Sequence, residues 1–134
     1  MDIKEYKTMM DQVTPSDPKV YLVQEIPVWR EQENPEKAGK PKVDITPALK
    51  YGQIKIMFPR LKQMQFSPGP MVMEIKKSLK DFTPDDYLLL YGDPAIIGVV
   101  CAVVSDITNG KFKLLKFDRR QFTYYPIELN IFQN

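Results

Sequence analysis

Histidine is absent from all 134 residues, and cysteine occurs once, as Cys101. Without histidine there is no imidazole base poised near neutral pH and no Ser-His or Cys-His nucleophile pair. The commonest transition-metal ligand is missing as well. One cysteine supports neither a zinc site nor an internal disulfide, which points to a cytoplasmic setting. A strong charge excess is also lacking. The 19 basic and 17 acidic residues leave a net charge of +2, too small for bulk attraction to nucleic acid or membrane. The longest near-apolar run, Pro94 to Val104, is shorter than the roughly 20 residues a membrane span requires. The opening stretch Met1-Asp-Ile-Lys-Glu-Tyr-Lys7 has no apolar core, so no secretory leader is expected.

What is present is an ordinary apolar share of 43% in a chain the length of one domain, together with 12 prolines, half of them before residue 50. Residues 1–18 show no sustained period and end in Thr14-Pro-Ser-Asp-Pro18, which reads as a flexible N-terminal arm. The remainder, 19–134, is read as a single domain. Val20–Ile26 is a strand stopped by Pro27, and residues 30–43 are charged and broken by Pro35, Gly39 and Pro41, predicting a mobile loop. In Thr46–Gly52, Thr46 is placed as the cap of a short helical turn and Pro47 at its first position. Gln53–Phe58 alternates as a strand with one wet face.

A helix is predicted from Ser67 to about Phe82, with Met71, Val72, Ile75, Leu79 and Phe82 on the apolar side and Lys76, Lys77 and Lys80 opposite. Tyr87–Tyr91 lacks polar alternation, as a strand covered on both faces does. Gly92-Asp93-Pro94 then supplies a tight turn, an N-cap and a first helical residue. The helix that follows ends near Gly110, and strands Lys111–Phe117 and Thr123–Phe132 close the chain. The expected fold class is α/β: one mixed sheet with a parallel β-α-β-α-β centre and an antiparallel C-terminal hairpin.

Four constellations bear on function. Asp93 and Asp118 follow the ends of parallel strands, where a carboxylate pair, helped by Glu74, Asp85 or Asp86, would suit Mg²⁺-dependent phosphotransfer or nuclease chemistry. The turn Tyr91–Pro94 has the outline of a phosphate cradle but only one glycine and an acid at the anion position, so helix capping accounts for it. Lys111, Lys113, Lys116, Arg119 and Arg120 interleave with aromatic rings including Tyr124, a pattern suited to tracking phosphates and stacking bases. The same pattern arises from a half-buried hairpin. Finally, the helix after Pro94 is apolar on nearly every side. Gly98 and Ala102 allow close approach to the sheet, while Ile96, Val99, Val100 and Val103 offer a face for self-association.

The succession Lys19–Gln24, Asp44–Gly52, Asp86–Pro94 and Leu114–Asp118 resembles a group of small proteins from tailed bacteriophages, over most of residues 19–131. That resemblance implies a phage-encoded protein in the host-cell cytoplasm and assigns no activity to any residue. The first expectation is therefore a non-enzymatic binding or adaptor protein with no cofactor. It would engage a host or phage protein and form a homo-oligomer. The second is a nucleic-acid-binding protein using the C-terminal hairpin, and the third is the Mg²⁺ chemistry at Asp93 and Asp118.

Overall fold

A computed structural model describes residues 4, 17–64 and 67–132. Apart from residues 4, 17 and 18, the predicted arm lies outside them. Strands β1 (Lys19–Gln24), β2 (Gln53–Phe58), β3 (Tyr87–Leu89), β4 (Lys111–Asp118) and β5 (Thr123–Asn130) form one sheet in the order β2-β1-β3-β4-β5. The first three neighbouring pairs are parallel, and β4 with β5 is the antiparallel hairpin. The predicted α/β class and mixed sheet are thus both present.

Helices α1 (Gly69–Ser78) and α2 (Pro94–Ile107) are the crossovers β2-to-β3 and β3-to-β4. Both advance in the same direction across the sheet, so right-handed crossovers put them side by side on one face and parallel to each other. Met71 and Ile75 of α1 and Ile96, Val100 and Val104 of α2 pack there on Tyr21, Val23, Leu88 and Phe112. The β1-to-β2 crossover runs the opposite way and lies on the other face. It carries only a 3-10 helix, Thr46–Tyr51, and that helix buries Ala48 against Val20, Leu22, Ile54 and Leu115. The central strand β1 is consequently buried along almost its whole length.

Local details depart from expectation in several places, the first and last strands each stopping two residues early, at Gln24 and Asn130. Helix α1 ends at Ser78, because the chain turns at Leu79 to bring Phe82 back to the core. The N-cap position of the 3-10 helix is Ile45, which makes no side-chain cap bond; Asp44, just before it, accepts from the Thr46 amide through Oδ1 at 2.9 Å, and Thr46 itself lies inside the helix. Strand β3 stops at Leu89, two residues early, where Tyr91 N–H turns back to the Leu89 carbonyl. Residues 30–43 form an excursion pinned at its base: Trp29 and Lys40 pair through backbone, and Glu33 bridges Lys42 at 2.8 Å and Arg30 at 2.9 Å. Those cations, Lys42 first, hold the Glu33 carboxyl down at about 2.

Two core tyrosines resist ionisation. Burial, with Asp86 and Asp81 nearby, pushes Tyr21 up to about 12; burial and Asp44 do the same for Tyr124. Below the ordinary value of 10.0 both phenols are neutral whether the chain is folded or not. Above it only the unfolded chain ionises them. Stability should therefore fall by about 1.4 kcal/mol per pH unit for each tyrosine as pH rises towards the folded-state values. The Tyr21 hydroxyl has no hydrogen-bond partner among the described residues. Tyr21→Phe is accordingly expected to halve that alkaline slope and to raise neutral-pH stability by up to about 1 kcal/mol. Denaturant titrations at a series of pH values check both. A loss of stability at neutral pH would mean that the hydroxyl is satisfied after all.

Candidate functional site

Strand order reverses between β1 and β3, so their carboxyl ends open the crevice where ligands of α/β sheets usually sit. It measures about 510 Å³, and its lining includes Gln24, Arg60, Lys62, Tyr91, Gly92 and Asp93. Gln24 dominates it. Only 3% exposed, its Nε2 donates to the carbonyls of Pro59, Arg60 and Lys62 at 2.9, 3.2 and 2.7 Å. Its Oε1 accepts from the Asp93 amide at 2.7 Å. Asp93 then caps α2 as expected, its Oδ2 accepting from the amides of Ile96 at 3.3 Å and Met64 at 3.4 Å. The floor leaves no room for a larger residue at position 92. Gly92 has φ of 134°, and a Cβ there would lie 2.5 Å from the Gln24 side chain. Of the amides that would cradle an anion, those of Asp93 and Ile96 are already engaged by Gln24 and Asp93, and the Asp93 carboxylate sits at the anion position. Chemically, this crevice is a joint in the chain.

The carboxylates read as a Mg²⁺ site have other partners. Asp93 is the cap just described, and Asp118 Oδ1 accepts from the Arg120 amide at 2.9 Å. Asp86 holds the Lys19 amide at 2.8 Å and the Thr83 amide at 2.9 Å. Among the described residues, no three His, Cys, Asp or Glu side chains are grouped as a metal would require.

The hairpin divides its cations between two faces. Strand alternation sets Lys111 and Lys113 on the face of Leu115 and Phe117, and Lys116 on the opposite face with Phe112 and Leu114. Lys113 lies 4.3 Å from the Tyr87 ring centre. Tyr124 is 2% exposed and donates to the Asp44 carbonyl at 3.2 Å, so it is a core residue and offers no stacking surface. Lys111, Lys116 and its cross-strand neighbour Tyr125 are exposed along the hairpin, and Arg119, Arg120 and Phe122 are exposed at its tip. Phe122 is 74% exposed at φ of 51°, a left-handed conformation that strains a bulky side chain.

On the helix layer, the predicted self-association face turns out to be mostly interior. Ile96, Val100 and Val103 are buried in the chain's own core, and of the four only Val99 is half-exposed. The helix is rotated the other way from expectation. Gly98 and Ala102 face outwards, and a Cβ on Gly98 would touch nothing within 4 Å. Between this face and α1 runs a groove of about 630 Å³, floored by Leu79, Val99 and Val103 and edged by Lys76, Lys80 and Asp106. Cys101 is half-buried nearby, and burial pushes its thiol up, away from reactivity.

A family model described as "Phage Pam3 gp32-like protein" matches residues 18–131. The chain belongs to the phage Pam3 gp32-like family. The phage resemblance read from the strands, caps and turns is thereby borne out over nearly the same span. No curated protein and no solved structure matches the chain. No helix among the described residues of this Pam3 gp32-like chain is long and apolar enough to cross a membrane.

The residue that sequence reasoning passed over is Gln24. As the last residue of a buried strand just before Pro27 it was an available signal, since a buried amide demands partners. Gln24→Glu should test the joint. A carboxylate there faces three carbonyl oxygens, so stability at neutral pH is expected to drop by about 2–3 kcal/mol. Part of the loss should return on acidification, because the neutral acid can donate once. Unchanged melting at neutral pH would show that the amide does not hold this end of the sheet.

Proposed function

We propose that this phage Pam3 gp32-like chain is a protein-binding module, without catalysis of its own, that works through self-association. The supporting observation is the outward face of α2. A surface helix normally carries charge opposite its buried stripe. Here Pro94, Ala95, Gly98 and Ala102 are the exposed positions up to Ser105, and the one charge on the helix, Asp106, comes only in its last turn. Beyond them Ile107 is 49% exposed. Such a face gains from being covered, and small side chains let another backbone come close. The crevice at the switch point adds support from the other side, because the Gln24 amide and the Asp93 carboxylate at its floor are already used within the chain. A partner protein, host or phage, fits the same reading.

Sedimentation velocity over a concentration series is the test. The wild-type chain is expected to shift from monomer to a larger species as concentration rises. Ala102→Glu should abolish that shift while changing folding stability by no more than about 0.5 kcal/mol, as befits an exposed helical position. A wild-type chain that sediments as a monomer throughout would refute self-association.

A second reading is favoured by the hairpin tip, where the exposed Phe122 ring stands beside Arg119 and Arg120, neither ion-paired among the described residues. It has the chain holding single-stranded nucleic acid, with one base stacked on Phe122 and phosphates on the arginines. Fluorescence anisotropy with a labelled single-stranded oligonucleotide would then show salt-weakened binding. Phe122→Ala would lose about 1–3 kcal/mol of it. Affinity that ignores both salt and this substitution would dispose of the reading.

A further inference from the structure

We infer that the groove between α1 and α2 takes the same groove of a second copy, in a two-fold dimer whose axis runs along the groove. This rests on the self-association reading and names its surface, partner and register. Three observations on the groove argue for it. Its floor is apolar, formed by half-buried Val72 and Val99 with Leu79 and Val103 beneath. Its α2 edge is small at exposed Ala102, one turn beyond the outward-facing Gly98, and exposed Ile107 continues it towards the C-terminal end. Its rim is charged with opposite signs on opposite walls: Lys76 and Lys80 on the α1 side, Asp106 on the α2 side.

The rim charges choose the occupant. All three are exposed, and none forms an ion pair with another described residue, although they line one groove. A wall of cations facing a wall with a carboxylate is complementary to itself after a two-fold rotation. The two helices run parallel, so both sets of charges lie near the same, C-terminal, end. An axis perpendicular to the helices would place α1 on α1 of the second copy and bring the C-terminal end of one onto the N-terminal end of the other. An axis parallel to the helices places α1 over α2 of the second copy with like ends together. Lys76 and Lys80 then meet Asp106 of the second copy, and symmetry makes the contact twice. Small residues on α2 admit the larger α1 side chains opposite them. Only the parallel axis satisfies both the charges and the shapes.

The experiment uses charge reversal in the full chain. One variant carries Lys76→Glu and Lys80→Glu; the other carries Asp106→Lys. In the proposed dimer each variant alone sets like charges against each other, and each should raise the dimer dissociation constant about tenfold or more. An equimolar mixture should recover wild-type association, because the glutamates of one chain then face the lysine of the other, and its aspartate faces the other's lysines. Circular dichroism of each variant confirms folding, and the recovery in the mixture cannot come from a misfolded chain. If wild type is monomeric, the self-association reading fails and this inference with it. If wild type associates but the variants do so equally well, self-association stands and this groove is not its surface. If each variant alone is monomeric and the mixture stays so, the pairing of walls is wrong.

Discussion

The amide of Gln24 is the point on which the arrangement depends. Parallel sheets bring several chain reversals to one edge, and each reversal leaves backbone groups that the ladder does not use. At the carboxyl end of β1, three such carbonyls from 59–62 and one amide from Asp93 converge on a single buried side chain. Glutamine is suited because it donates twice and accepts at one end; no apolar residue and no carboxylate does both. The opposite end of β1 has its own anchor in Asp86, which receives the Lys19 amide and ties the start of β3 to the start of β1. Between these two pins the strand is closed on both sides by side chains, and Gly92 is the space that the Gln24 side chain occupies.

This joint bears directly on function. In open α/β sheets the switch-point crevice is where ligands collect, because helix N-terminal amides and loop carbonyls there are unspent. Here they are spent on Gln24 and Asp93. On the proposed reading, recognition falls to the outer face of the helix layer, or to the tip of the hairpin. The two faces of the sheet are covered unequally, by two full helices on one side and a 3-10 helix on the other. The heavier layer is also the one whose outer surface carries no charge along α2 before Asp106, near its C-terminal end.

Much of this was legible from the residues. Gly92-Asp93-Pro94 specified its turn, cap and first helical residue by local chemistry, and each does what was read. The charge-free Tyr87–Tyr91 run announced a strand covered on both faces, although the strand itself stops at Leu89. Local rules failed where tertiary packing decided. Which side of α2 faces the sheet is ambiguous when Ile96, Val99, Val100 and Val103 leave so little polar contrast. Gly98 and Ala102 were read as inward for that reason, and they point out. Tyr124 looked like one more ring on an alternating hairpin, but Asp44, 80 residues away, supplies the carbonyl that holds its hydroxyl inside. Gln24 could not be recognised as a joint before its partners at 59–62 and 93 were known to lie beside it.

On the proposed reading, contact at the helix layer, and not ligand binding at the switch point, is the task of this chain. Amide NMR spectra recorded over a rising concentration series test it most directly. Shifts that grow with concentration at Val72, Lys76, Ala102 and Asp106, with Gln24, Gly92 and Asp93 unmoved, are the predicted result. Shifts centred on the crevice, or a spectrum unchanged at every concentration, would contradict it.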